Sequence, residues 1–433
     1  MSIGTKLAIV AAGGPAPGIN SVIGAATIRA RLSGVEVLGI QEGFRWLMEG
    51  DTSHVTPLTI EDTSRIHFLG GSHIGISRAN PTKNPAHLEA TLQSLVKLGV
   101  GQLITIGGDD TCYTAHRLSQ IAKGRLRVVH VPKTIDNDLD LPQDIYTFGY
   151  QTARHIGVEI VHNLMVDAKT TSRWYLAVAM GRSAGHLALG IGKAAGATIT
   201  LIPEEFGGKV RLKTIVDTLA GSIIKRLAYG RTDGVAVLAE GLVASVPAED
   251  LAGLAEVERD AHDNIRIAEV NFANILKVEL RKRLAAFKLS PTIVGKDIGY
   301  EVRCAAPIPS DIEYTRDLGY SAAKYIIEGG TDALISIQEG RFKPVPFASI
   351  MNPETGRMRI RLVDIESDRY KIARTYMLRL RKSDFEDKAE LAKLAQAANV
   401  TPERFRDEFG PLVAAESARP SIAAPAASQN AAP

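Results

Sequence analysis

Two kinds of apolar pattern alternate along the chain. Short, nearly continuous runs at Leu7-Ala8-Ile9-Val10, Val35–Ile40, Leu103-Ile104-Thr105-Ile106 and Val128-Val129-His130-Val131 predict buried parallel strands, several of them ending in Gly or Pro. Between them, Pro85–Leu98 carries apolar residues at 88, 92, 95 and 96, the stripe of an amphipathic helix. After a helical stretch near residues 150–165 the pattern repeats, with strands at Trp174–Ala179, Ile199–Ile202 and Val235–Leu238. A helix-rich stretch from Leu251 to Phe287 follows, and Ala333–Ile337 predicts a strand that returns to the first sheet. Strand–helix–strand alternation implies crossover units and parallel sheets covered on both faces.

The expected class is therefore α/β, with two doubly wound, Rossmann-like domains and an active-site cleft between them. The boundaries fall at 1–145, joined by about 308–365, and at 146–307. Residues 366–413 form a helical C-terminal extension in which 384–410 read as surface helices. The Ala/Pro-rich tail at 414–433 has too few core-forming side chains to order itself and is expected to be disordered.

Composition narrows the function classes. With 45% hydrophobic and 23% charged residues in 433, the chain is that of an ordinary globular protein with more than one core. A net charge of +3 is too balanced for a nucleic-acid footprint or a polybasic membrane surface, so neither partner is expected. Cys112 and Cys304 stand alone, which argues against a disulfide framework and a structural zinc site. No run of 18 apolar residues occurs, and the opening residues lack a signal-peptide pattern, so a cytoplasmic location is expected.

The chemistry-bearing residues cluster just past predicted strands, where open α/β sheets bind ligands. Gly13-Gly14-Pro15-Ala16-Pro17-Gly18-Ile19-Asn20 can bring backbone N–H groups to an anion, or can be a plain turn. In Gly107-Gly108-Asp109-Asp110-Thr111 a carboxylate can hold Mg²⁺, while Asp110 or Thr111 can equally cap the next helix. Pro132-Lys133-Thr134-Ile135-Asp136-Asn137-Asp138 offers a cation, a hydroxyl and two carboxylates that extended backbone would point the same way. That is a composition phosphoryl transfer needs, although a polar turn has it too. Gly190-Ile191-Gly192-Lys193-Ala194-Ala195 fits a loose dinucleotide fingerprint but follows a helical stretch, and Ala194 and Leu187 break the phosphate-loop pattern.

Taken in order, these pieces resemble the phosphofructokinase family, specifically its pyrophosphate-dependent branch, over roughly Leu7 to Ile350. The landmarks are the motifs at 13–20, 70–78, 107–110, 132–138 and 180–182, Ala-Glu-Gly-Leu at 239–242 and Tyr-Glu-Val-Arg at 300–303. The resemblance implies the phosphofructokinase fold, with the phosphate donor held by the N-terminal domain and the sugar phosphate by the C-terminal one. It implies reversible phosphoryl transfer from pyrophosphate to the 1-hydroxyl of fructose 6-phosphate, a glycolytic step.

Residue by residue, Gly13 and Arg78 would meet the donor and Asp109 would hold Mg²⁺. Asp136 would accept the hydroxyl proton, with Thr134, Ile135 and Asp138 positioning substrate and metal. Met180, Gly181 and Arg182 would hold the sugar phosphate, and Glu240 its hydroxyls. The Tyr300-Glu301-Val302-Arg303 motif would also line the sugar phosphate. Arg173 and Arg303 resemble arginines that grip the 6-phosphate, in this family often from a neighbouring subunit, which implies a homodimer or homotetramer; Arg173 and Arg182 could instead form surface ion pairs. ATP-using relatives carry glycine where this chain has Asp110. A carboxylate there fills the space and repels a nucleotide's α-phosphate, while Lys133 offsets charge on the leaving phosphate, so both join Asp136 as catalytic candidates. The bland alternative makes Asp110 a helix cap and Lys133 its surface partner.

Three departures stand out. Pro15 replaces a common aspartate, Ser183 follows Met-Gly-Arg where histidine is common, and Cys304–Asp311 has no convincing counterpart of the histidine–arginine segment that ATP-type enzymes use after the arginine matched by Arg303. An ATP-dependent enzyme of the same fold and a non-catalytic sugar-phosphate-binding subunit stay open as alternatives. A dinucleotide-binding oxidoreductase fits less well, for want of a fingerprint after any strand.

Overall fold

The computed structural model of the chain describes residues 4–142, 145–251, 270–352 and 358–417. These fall into two compact units, 1–156 with 300–361 and 157–299 with 362–433.

In the first unit, strands Lys6–Ala11, Val37–Ile40, Val55–Leu58, Val100–Gly107, Arg127–Thr134, Ala333–Leu334 and Val345–Pro346 form one sheet, which the short strand Phe148–Gly149 joins by pairing with Arg127–Thr134. Its central strands pair in parallel, with Ile9 opposite Ile104 and Ile104 opposite Val129. The outermost strands, Val55–Leu58 and Val345–Pro346, run antiparallel to their neighbours. Side chains alternate between faces, as the pleat requires. Leu7, Ile9, Ile104, Ile106, Val129 and Val131 share one core with residues of helices Ile19–Leu32 and Pro309–Ile327. Ala8, Val10, Leu38, Leu103 and Val128 face the other core, closed by helices Pro85–Lys97 and Asp109–Ala122. The predicted return of residues 333–337 to the first sheet is seen at Ala333–Leu334, paired parallel with Val129 and His130.

The second unit holds a four-stranded parallel sheet in the order Thr292–Ile298, Arg173–Ala179, Gly234–Ala239, Ile199–Leu201. Thr292–Ile298 was not among the predicted strands. As an edge strand it carries Lys296 and Asp297 within the run, which hides the apolar signal.

Two expectations about the C-terminal part change. Residues 366–413 are helical, but they are neither a separate extension nor a set of surface helices. Leu391, Leu394, Phe405 and Phe409 are fully buried and belong to the same core as Trp174, Leu176, Ile215 and Leu276. The reason was present in the chain: Leu391, Leu394, Ala395, Ala398 and then Phe405, Phe409, Val413 recur at helical spacing, and such a stripe must be covered. Of the tail predicted to be disordered, residues 414–417 complete helix Pro402–Ser417, and 418–433 lie outside the described residues. Much of the predicted Leu251–Phe287 stretch also lies outside them; helix Phe272–Ala285 is its described portion. Gly190–Ala195 lies inside helix His186–Ala195, so it is no phosphate loop. Among the described residues, no helix is long and apolar enough to cross a membrane.

Candidate active site

The donor candidates of the first unit lie at the carboxyl ends of its central strands. Gly13 follows strand Lys6–Ala11 and takes φ +88°, a left-handed conformation that glycine adopts without steric cost. Its N–H donates to the carbonyl of Ser77 at 2.8 Å, which places Arg78, exposed at the next position, beside the same loop. Lys133, near the end of strand Arg127–Thr134, donates from Nζ to the carbonyl of Gly14. A Cβ built on Gly14 would stand 2.6 Å from Nη2 of Arg303, so that guanidinium lies directly against the loop backbone. Arg303 belongs to the short helix Tyr300–Arg303 and stacks over the Tyr300 ring at 5.4 Å, while Glu301 is exposed and Val302 buried. Within the unit, Gly13, Arg78, Lys133 and Arg303 are thus brought to one place, so Arg303, expected at the sugar 6-phosphate, lies instead against the donor loop because helix Tyr300–Arg303 packs in the first unit.

Lys133 is only 4% exposed, which excludes the reading of it as a surface partner. Burial, and then the neighbouring Arg303 charge, lower its pKa to about 8, against the pull of Asp136, Asp138 and Asp109. It remains mostly protonated near neutrality. Gly108 takes the N-cap position of helix Asp109–Ala122 with no side-chain cap, so neither Asp110 nor Thr111 is the cap. Asp109 and Asp110 are exposed in the first turn, where the helix's positive end favours negative charge.

The loop after strand Arg127–Thr134 corrects one expectation. Asp136 and Asp138 do not alternate along extended backbone, because Asn137 between them has φ +55°. Asparagine is among the few non-glycine residues that enter this region readily. Thr134 organises the turn: its hydroxyl accepts from the Asp136 N–H at 3.0 Å and donates to Asp138 Oδ1 at 3.1 Å. Ile135 is buried beneath. Burial, and then the charge of Asp109, raise the Asp138 pKa, so these two carboxylates repel one another across the site. An oxygen-loving dication would relieve that repulsion. Among the described residues no group of three or more metal-binding side chains occurs.

In the second unit, the loop after strand Arg173–Ala179 is held by backbone bonds to carboxylates. Glu240 Oε2 accepts from the Gly181 N–H at 3.1 Å, and the Met180 N–H donates to Ile298 O at 2.9 Å. Glu204 Oε1 accepts from Gly185 N at 2.8 Å and Val363 N at 3.0 Å. Burial pushes the Glu204 carboxyl up, and those two bonds work against the shift. Met180, Gly181, Arg182 and Glu240 therefore form one group, with the Arg182 side chain exposed. Arg173 does not join it. It stands at the opposite end of the seven-residue strand, about 20 Å away at ~3.3 Å per residue, and pairs with Asp167 at 3.8 Å.

Several supporting residues escaped the sequence reading. His130 is fully buried and bridges Thr105 Oγ1 at 2.8 Å and Gly107 O at 3.0 Å, fixing the strand end before Gly108-Asp109. Burial lowers its pKa to about 3, so it is neutral, and the bond to a carbonyl puts its proton on Nε2. Glu204 and Arg361 carried no motif signal, because each acts through bonds to residues distant in sequence.

A protein-family model described as Phosphofructokinase matches residues 6–326. A Thermotoga maritima protein named pyrophosphate–fructose 6-phosphate 1-phosphotransferase is 50% identical over 409 residues, covering 93% of this chain and 98% of that one. A Naegleria fowleri protein of the same name is 47% identical over 417 residues, covering 94% and 95%. Among solved structures, a pyrophosphate-dependent phosphofructokinase from Marinobacter aquaeolei matches with TM-score 0.64 at 16% identity, covering 94% of this chain and 91% of that one. The phosphofructokinase of Saccharomyces cerevisiae matches with TM-score 0.62 at 21% identity, covering 94% of this chain and 50% of that one. Both structural matches speak to the fold.

Proposed function

The chain belongs to the phosphofructokinase family, and on that premise we propose that it transfers a phosphoryl group reversibly from pyrophosphate to the 1-hydroxyl of fructose 6-phosphate. The products are fructose 1,6-bisphosphate and phosphate. The observation that carries the choice of donor is the buried Lys133, tied to the Gly14 carbonyl in a site that also presents Asp110. The names of the Thermotoga and Naegleria relatives agree with it.

Asp136 takes the proton of the sugar hydroxyl as its oxygen attacks phosphorus. The bridging P–O bond breaks and its electron pair leaves on phosphate. Lys133 and Arg303, both against the Gly13–Gly14 loop, offset the charge that gathers on the departing oxygens. Arg78 supports the donor from the adjoining segment. Asp109, facing Asp138 electrostatically, would hold Mg²⁺, which supplies further neutralisation of the phosphate oxygens when bound. In the second unit, Met180, Gly181, Arg182 and Glu240 hold the sugar phosphate.

Arg173 is too far along its strand to serve the sugar phosphate held by Arg182 of its own unit. We assign it to the site of a neighbouring copy in a homo-oligomer.

The deciding experiment supplies fructose 6-phosphate with either pyrophosphate or ATP and follows fructose 1,6-bisphosphate. Turnover with pyrophosphate and none with ATP is expected; turnover with ATP alone overturns the reading. An Asp110→Gly/Lys133→Gly double variant is expected to gain weak ATP use.

A further inference from the structure

The turn that aims Asp136 and Asp138 is closed by a residue more than 200 positions away in the chain. Arg361 sends Nη2 to the Asn137 side-chain oxygen at 2.5 Å, and both Nε and Nη2 to the Asn137 carbonyl at 3.3 Å. Its Nη1 reaches the carbonyl of Ile145 at 2.9 Å, and its backbone N–H donates to the carbonyl of Asp138 at 2.8 Å. One guanidinium therefore grips both sides of the loop that leaves the catalytic segment. A second tie comes from Thr147, whose N–H donates to Asn137 Oδ1 at 3.1 Å and whose hydroxyl donates to the carbonyl of Thr134 at 2.7 Å. Asn137 is the left-handed residue on which the directions of the flanking carboxylates depend.

Arg361 ends a short segment that crosses the loop, with Ile360 bridged antiparallel to Leu139. Arg359, two positions earlier, binds Asp140 at 2.7 Å and the Ser349 carbonyl at 2.8 Å, both at the surface. The segment thus contains its own control: two arginines on one strap, of which one holds the catalytic turn.

We propose that Arg361 is a positioning residue for phosphoryl transfer, fixing the left-handed turn at Asn137 so that Asp136 and Asp138 are aimed at the reacting groups. The proposal rests on the functional reading above and deepens it. A guanidinium is suited to the task, because its planar fork can bind the side-chain and backbone oxygens of one residue together, as an ammonium cannot.

The test measures kcat and KM for pyrophosphate and fructose 6-phosphate in wild type, Arg361→Ala, Arg361→Lys and Arg359→Ala, with thermal unfolding of each. A small misplacement of catalytic groups costs on the order of a hundredfold in rate. Arg361→Ala is expected to lose about that factor in kcat with both KM values within about threefold of wild type, and Arg361→Lys to recover part of the loss. Arg359→Ala should keep wild-type kcat. Equal losses in the Arg359 and Arg361 variants, or near-wild-type kcat in a folded Arg361→Ala, would overturn the proposal. Where Arg361→Ala does not fold, Asn137→Gly keeps the left-handed backbone and removes the side-chain tie. Adding Arg361→Lys to that background should then cost less than it does in wild type; equal costs count against coupling through Asn137. A wild type inactive with pyrophosphate sinks the functional reading instead, so the two failures are distinguishable.

Discussion

The two units prepare the groups proposed to handle phosphate differently. In the first, the cations are already in place: Lys133 is buried and bound to the Gly14 carbonyl, and Arg303, 8% exposed, lies against the same loop. In the second, the loop at 180–185 is shaped by carboxylates that hold its backbone, Glu240 at Gly181 and Glu204 at Gly185. Its own cation, Arg182, is exposed, and Arg173 is a strand's length away. A site of the first kind pays its desolvation cost on folding and meets the donor preorganised. A site of the second kind has its frame built, with its cation Arg182 still exposed to solvent.

The contrast can be broken most severely at Asp136. Asp136→Asn removes the proton acceptor while keeping the shape, and is expected to lower kcat by about 10²–10⁴-fold with unfolding temperature unchanged. Steady-state turnover with saturating pyrophosphate checks this, and a loss confined to KM would deny Asp136 its role.

Arg173→Ala probes the second unit. Its predicted signature is a rise in the KM for fructose 6-phosphate of about ten- to a hundredfold, the worth of a charged hydrogen bond, with the KM for pyrophosphate unmoved. Mixed oligomers of Arg173→Ala and Asp136→Asn chains sharpen the comparison. If Arg173 serves a neighbour's site, mixing two crippled proteins regenerates some intact sites and raises activity above that of either alone. Activity that never exceeds the average of the two returns Arg173 to its own chain.

The mildest probe is pH. Because the folded-state pKa of Lys133 is depressed to about 8, its positive charge is present below that value and lost above it. The kcat/KM for pyrophosphate should therefore fall on an alkaline limb near pH 8, by about tenfold per unit beyond it. Lys133→Arg, whose charge persists across the range, should lack that limb even where its overall rate is lower. The same limb in both proteins would assign it to another group.

Much of this was legible in the chain. The central strands of both sheets announced themselves as short apolar runs, and the glycines and acids at 13–14, 107–110 and 132–138 fell where the sheet of the first unit presents its strand ends. What stayed hidden shares one physical cause, namely dependence on partners far along the chain. Asn137 looks like an ordinary polar residue until the bonds from Thr147 and Arg361 fix it in the left-handed region. His130 reads as an interruption in a β-branched run, yet it is neutral, buried and bound at both nitrogens. Misreading the 384–410 helices had another origin: their apolar stripe was visible, but nothing local says which core will receive it.

That receiving core bears on how the protein is made. Phe405 and Phe409 seal the same interior as Trp174, and Ala333–Leu334 completes a sheet begun at Lys6, so neither unit is encoded by one uninterrupted stretch. On the ribosome, most of the polypeptide must emerge before either interior can close. The nascent chain meanwhile displays greasy surface over a long interval, a situation that favours chaperone capture and penalises any pause in translation before Phe405 and Phe409 are made.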